Sequence, residues 1–190
     1  MMHHIDLSHV LRQTLECDLY SNLVTRPTGA AVRGQIEELL REPSESARAL
    51  AVIDFSHVSM IDLSCADEVV AKLLLRYAAD DSPTQAYFLL RGVSELHEDA
   101  IEAVLERHEL VAALEHEDGV RLMGTPTADE RRAWGVVCDA GSAGAQLDDV
   151  ATRMGCAAEH AEPVLDALCR RRVMMRIEDR FVAVGVGRGG

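Results

Sequence analysis

The chain has 190 residues, 48% hydrophobic and 27% charged, enough to bury the core of one medium domain or of a medium domain plus a small one. Its 32 acidic residues against 19 basic ones give a formal net charge of −13, which repels phosphate backbones and anionic membranes and argues against general nucleic-acid coating. The five cysteines (Cys17, Cys65, Cys138, Cys156, Cys169) are odd in number and never form a C-x-x-C pair, which fits reduced cytosolic thiols better than a disulfide framework. No apolar run reaches the roughly 20 residues of a membrane span, and the first six residues lack the layout of a signal peptide, so a cytoplasmic location is expected.

In chain order, residues 1–25 are read as contributing an N-terminal strand or hairpin. A helix opens at Thr28-Gly29, with Val32, Ile36, Leu39 and Leu40 on one face. Residues 50–55 (LAVIDF) and 86–90 (AYFLL) are short apolar runs bounded by charged or turn residues, as buried strands are. Between them Ala66, Val69, Val70, Leu73, Leu74 and Tyr77 repeat at i, i+3, i+4, i+7, i+8 and i+11, the stripe of an amphipathic helix. That register leaves Asp67, Glu68, Lys72 and Arg76 facing outward. A third helix follows Ser94, with Ala100, Ile101, Val104 and Leu105 inward, and residues 119–123 form a last strand. Strand and helix alternate, so the class is α/β, with helices covering a sheet.

Gly124-Thr125-Pro126-Thr127 has turn chemistry and is taken as a boundary between a first domain, 1–124, and a second, 125–186. The second is read as helices near 128–138, 147–154 and 158–172, then a hairpin of strands 173–177 and 181–186. Residues 187–190 are expected to be a flexible tail.

The run VIDFSHVSMIDLSCADEVVAKLL, residues 52–74, resembles the bacterial STAS-like regulators related to anti-sigma factor antagonists, and TRPTGAAVRGQIEELL, residues 25–40, resembles the arm before it. The resemblance implies a small sheet backed by helices, whose strand-to-helix corner docks a protein partner such as an ATP-binding anti-sigma-factor-like kinase. Carried onto this chain, the partner-binding residues are Asp62, Ser64, Asp67, Glu68, Lys72 and Arg76. Phosphorylated members of the family read Asp-Ser-Ser-Gly at the corner, modified on the first serine. Here it reads Asp62-Leu63-Ser64-Cys65, so the modified position is a leucine and a phosphosite falls to Ser64 or Ser59. Ser64 with Asp67 three residues on also reads as a capping box, whose hydroxyl accepts an orphan backbone N–H for about 1 kcal/mol.

The second domain resembles a winged helix, with residues 173–186 as the wing and the helix carrying Val164, Leu165 and Leu168 as the recognition element. That helix leads with Glu159, Glu162 and Asp166, which opposes DNA. Arg170, Arg171, Arg172, Arg176 and Arg180 are the candidate nucleic-acid contacts, or else a solvated helix end facing its own dipole. From Thr127 onward acidic and basic residues nearly balance, 10 against 9, so the acidic excess belongs to the first domain. Arg26-Pro27-Thr28-Gly29 could cradle a phosphate but reads more simply as the punctuation of a helix start. The histidines have no metal-site spacing and Cys65 has no base in any motif, so no metal, cofactor or catalytic residue is expected. Two functions follow: a non-enzymatic switch acting through protein–protein contacts, or a DNA-binding transcriptional regulator whose acidic domain senses a signal. Oligomeric state is not legible.

Overall fold

A computed structural model describes residues 2–7, 22–41, 48–79, 81–82 and 84–186. Residues 8–21 and the tail 187–190 lie outside these, so the expected hairpin is described only at its ends. In chain order the elements are β1 (Met2–Asp6), β2 (Asn22–Leu23), α1 (Arg26–Arg41), β3 (Arg48–Asp54), β4 (Met60–Ile61) and α2 (Leu63–Ala66). A π-helical turn, Asp67–Ala71, joins α2 to α3 (Lys72–Ala78). Next come β5 (Gln85–Arg91), α4 (Glu95–Arg107), β6 (Val111–His116) and β7 (Gly119–Gly124). The remaining elements are α5 (Ala128–Asp139), β8 (Ala145–Gln146), α6 (Leu147–Met154), α7 (Ala158–Arg170), β9 (Met174–Ile177) and β10 (Arg180–Ala183).

The main sheet has the order β1-β3-β5-β6-β7, parallel except for the final hairpin pair β6 and β7. The N-terminal strand is thus a parallel edge strand along β3. β6 was not expected, because Val111-Ala112-Ala113-Leu114 carries no period that separates a strand from a continuing helix. A strand order that steps in one direction, with right-handed crossovers, puts every crossover helix on the same face. The core shows this: Ala51, Ile53, Phe88, Leu90, Ala112 and Leu114 point into a cluster with Val32 and Ile36 of α1, Leu73 of α3 and Ile101 and Leu105 of α4.

A parallel sheet must be covered on both faces, because alternation leaves apolar side chains on the other one. Here Val52, Tyr87, Leu89, Val111, Ala113 and Leu122 point the other way. They join Trp134, Val137, Leu165, Leu168, Met174 and Phe181 in a second cluster supplied largely by the C-terminal segment. In that segment three helices pack on a small antiparallel sheet of order β8-β10-β9. Thr127 caps α5, accepting from the Glu130 N–H at 3.1 Å while the Glu130 carboxylate accepts from the Thr127 N–H at 2.7 Å. The segments before and after Gly124 therefore share a core, a layout that the apolar stripes of each segment taken alone do not imply.

Trp134, the chain's only tryptophan, lies buried in that shared cluster. Its fluorescence and the far-UV circular dichroism should therefore lose their native signals at one temperature. Leu89→Ala, at the centre of the sheet, should cost about 2–5 kcal/mol and lower both midpoints together. Two separate midpoints would show that the clusters melt independently.

Candidate functional site

The corner begins where β4 pairs with β2 and the Asp62 N–H donates to the Leu23 carbonyl at 2.9 Å. Asp62 holds extended backbone and caps the helix: its carboxylate accepts from the Cys65 N–H at 2.7 Å, the Ser64 hydroxyl at 2.8 Å and the Thr25 N–H at 3.2 Å. The expected Ser64–Asp67 capping box is thus corrected. An ionised acceptor one residue before the helix outcompetes a hydroxyl one turn-position inside it, and Ser64 donates where it was expected to accept. Burial pushes the Asp62 carboxyl up, but these hydrogen bonds hold it below its ordinary value.

Asp67 and Glu68, expected on the outer face, are only 6% and 2% exposed. The cause is tertiary: the apolar stripe from Ala66 to Tyr77 is buried as expected, and α1 packs at Gly29 over the π-helical turn that the two acids open, covering the face the stripe leaves outward. Burying two adjacent carboxylates demands partners, and four cationic or imidazole groups converge on them. Arg26 Nη1 donates to Asp67 at 2.9 Å and to Glu68 at 2.8 Å, and Arg33 Nη2 lies 3.4 Å from Glu68. Lys72 donates to Glu68, and His108 Nε2 lies 2.8 Å from Asp67. For both acids burial alone would raise the carboxyl. The bonds from His108 and Arg26 to Asp67, and from Lys72 and Arg26 to Glu68, outweigh it and hold both carboxyls below their usual range.

Arg26, Arg33, His108, Thr25 and Gly29 complete the site and were not among its expected members. The Arg26-Pro27-Thr28-Gly29 run lies within the start of α1, and its arginine turns onto the buried acids. Gly29 permits the approach, since a Cβ there would meet the Cys65 Cα and the Glu68 Cβ at 3.0 Å. Thr25, a β-branched residue, adopts a φ of 81° and is held there by Asp62 and by the Cys65 thiol, which donates to its carbonyl at 2.9 Å. Burial and the nearby Asp62 push the Cys65 thiol up to about 12, which keeps it protonated and structural.

Of the other expected site residues, Lys72 is half-exposed and committed to Glu68, while Arg76 is exposed and lies 3.3 Å from Asp81. Ser59 is exposed and Ser64 half-buried. The five C-terminal arginines do not make one free basic patch, because tertiary contacts divide them. Arg171 lies 3.0 Å from Glu130 and donates to the Glu109 carbonyl; Arg172 donates to the Tyr77 carbonyl at 2.9 Å and lies over the Tyr87 ring. Arg180 donates to the Gly144 carbonyl at 3.2 Å. Arg170, Arg172 and Arg176 line a shared cleft. Among the described residues no group of three or more His, Cys, Asp or Glu side chains could hold a metal.

Two expected outcomes test the corner. Gly29→Ala should destabilise by about 1–3 kcal/mol, as overpacking does, whereas Gly34→Ala on the same helix, with nothing within 4 Å of the new methyl, should stabilise by about 0.5–1 kcal/mol. Chemical denaturation separates the two. The pH limb follows from the sign of the shifts. Asp67 and Glu68 have depressed folded-state values, so their contribution is present above the unfolded carboxylate range near pH 4 and fades as pH falls through the lower folded values. Arg26→Gln should move the acid-unfolding midpoint to higher pH, and an unchanged midpoint would mean that Arg26 does not hold the acids.

Compared with known proteins, the chain matches no family model, no curated protein and no solved structure.

Proposed function

We propose that the protein is a non-enzymatic regulator that binds another protein at the outer rim of this corner, as the resemblance to STAS-like modules implies. The observation that carries this reading is the rim itself. Met60 and Leu63 are 47% and 41% exposed on either side of Asp62, and Leu96, at the start of α4, is 75% exposed. Leu63 and Leu96 follow the carboxyl ends of the parallel strands β4 and β5, where open α/β sheets place their binding surfaces, and Met60 opens β4 beside them. The acids beneath are already paired with cations, so the rim offers apolar contact. A rigid corner with apolar residues standing out of it suits a protein surface, and an ATP-binding kinase of the anti-sigma-factor kind is the partner class the resemblance supplies.

Regulation by phosphate fits Ser59 better than Ser64. The Ser64 hydroxyl sits on the Asp62 carboxylate, so a phosphate there would meet a like charge at hydrogen-bond range, whereas Ser59 is exposed. The second reading, a DNA-binding regulator, draws support from one observation: the order α5-β8-α6-α7-β9-β10, with the sheet β8-β10-β9, is compatible with a winged-helix segment. Against it, Glu159 and Glu162 stand exposed on the leading turn of α7, where a reading helix needs cations.

Leu63→Glu and Met60→Asp should each weaken the complex with the native partner, captured on the tagged protein, identified and repurified, by at least about tenfold, or 1.4 kcal/mol. As surface changes they should move folding stability by no more than about 0.5 kcal/mol. Full affinity in both variants would remove the rim from consideration. Sequence-dependent, sub-micromolar duplex binding would promote the DNA reading.

A further inference from the structure

The arginine cleft is not part of the corner. It opens at the seam between the start of β5 and the C-terminal segment, encloses about 570 Å³, and is walled by Arg170, Arg172 and Arg176 with Tyr87, Cys169 and Glu178. Two of the guanidiniums are held by aromatic rings. Arg172 lies 5.7 Å from the Tyr87 ring centre, its backbone in a left-handed conformation (φ 59°) and its Nε tied to the Tyr77 carbonyl. Arg176 lies 5.4 Å from the Phe181 ring centre.

Among the described residues, no carboxylate lies within 4.0 Å of these three arginines, whereas Arg26, Arg33, Arg91, Arg121, Arg153 and Arg171 all have one. In a chain of net charge −13, three guanidiniums lining one concavity, none within 4.0 Å of a described carboxylate, amount to a local anion trap. Cation–π contact places two of them against ring faces and leaves N–H groups for bidentate donation.

We propose that this cleft binds a small molecule bearing a pyrophosphate group. Three positive charges match a group that carries two or more negative ones. The volume falls within the range of small-ligand sites, roughly 300–1,000 Å³, and is too small for a duplex. The Glu178 carboxylate on the wall disfavours a second phosphate cluster there and suits a hydroxyl or amine of the same ligand. Because Tyr87 belongs to the main sheet and the arginines to the C-terminal segment, the ligand bridges the seam and stabilises the joined fold.

The experiment uses the full chain with inorganic pyrophosphate and, separately, ATP, read by calorimetric titration and by the thermal midpoint. Saturable binding with a raised midpoint is expected. The double variant Arg170→Gln/Arg176→Gln, both at exposed positions, should weaken binding by at least tenfold, while Arg131→Gln, an exposed arginine elsewhere, should leave it unchanged. Circular dichroism of the double variant should match that of the parent. Absence of saturable binding to either probe, or equal affinity in the double variant and the parent, overturns the proposal. Tighter binding of a duplex oligonucleotide through the same two arginines would replace it with a nucleic-acid surface.

Discussion

Two carboxylates, Asp67 and Glu68, sit beneath the surface of the sheet's helical layer, and much of the first half of the chain is arranged around keeping them charged there. Desolvating a pair of adjacent anions is costly, and the cost is offset only when donors reach them from several directions. Arg26 and Arg33 come from α1, Lys72 from α3 and His108 from beyond α4, so three separate elements are tied at one point. The close approach of α1 at Gly29, the strained backbone of Thr25 and the π-helical turn serve the same packing. Strain of this kind persists only where surrounding contacts over-determine it.

The same network explains why the corner presents a rim and not a charged face. With the acids turned inward and paired, what remains outside is Met60, Leu63 and the half-committed Lys72, on a corner that the Asp62 cap holds in place. Preorganised apolar contacts lose little entropy on binding, which suits recognition by a partner surface.

The second physical demand comes from the sheet. A parallel sheet whose crossovers all lie on one side leaves the other side bare, and Val52, Tyr87 and Leu89 would face water without the C-terminal segment. That segment therefore supplies most of the core on the sheet's second face. Arg171 and Arg172 reinforce the seam by donating to the Glu109 and Tyr77 carbonyls of the first segment. The cleft beside them is a by-product of this joining, built from residues on both sides of Gly124.

Local periodicity in the sequence determined the element types: the apolar runs of β3 and β5, the stripes of α1, α4 and α7, and the hairpin of β9 and β10 all declare themselves within a few residues. Turn residues follow β7 at Gly124, and the Asp62 turn and the helix after it were both legible in residues 52–74. Local pattern could not say which charged residues would be buried, because α1 covers the outward face of the stripe from about 40 residues away in the chain. Nor could it show that Arg26, Arg33 and His108 would meet Asp67 and Glu68, since about 40 residues separate most of these pairs. The division of five arginines between seam and cleft, and the sharing of one core across Gly124, were likewise decided only by tertiary structure. These are long-range contacts, fixed by how faces fit together, and no window of sequence contains both partners.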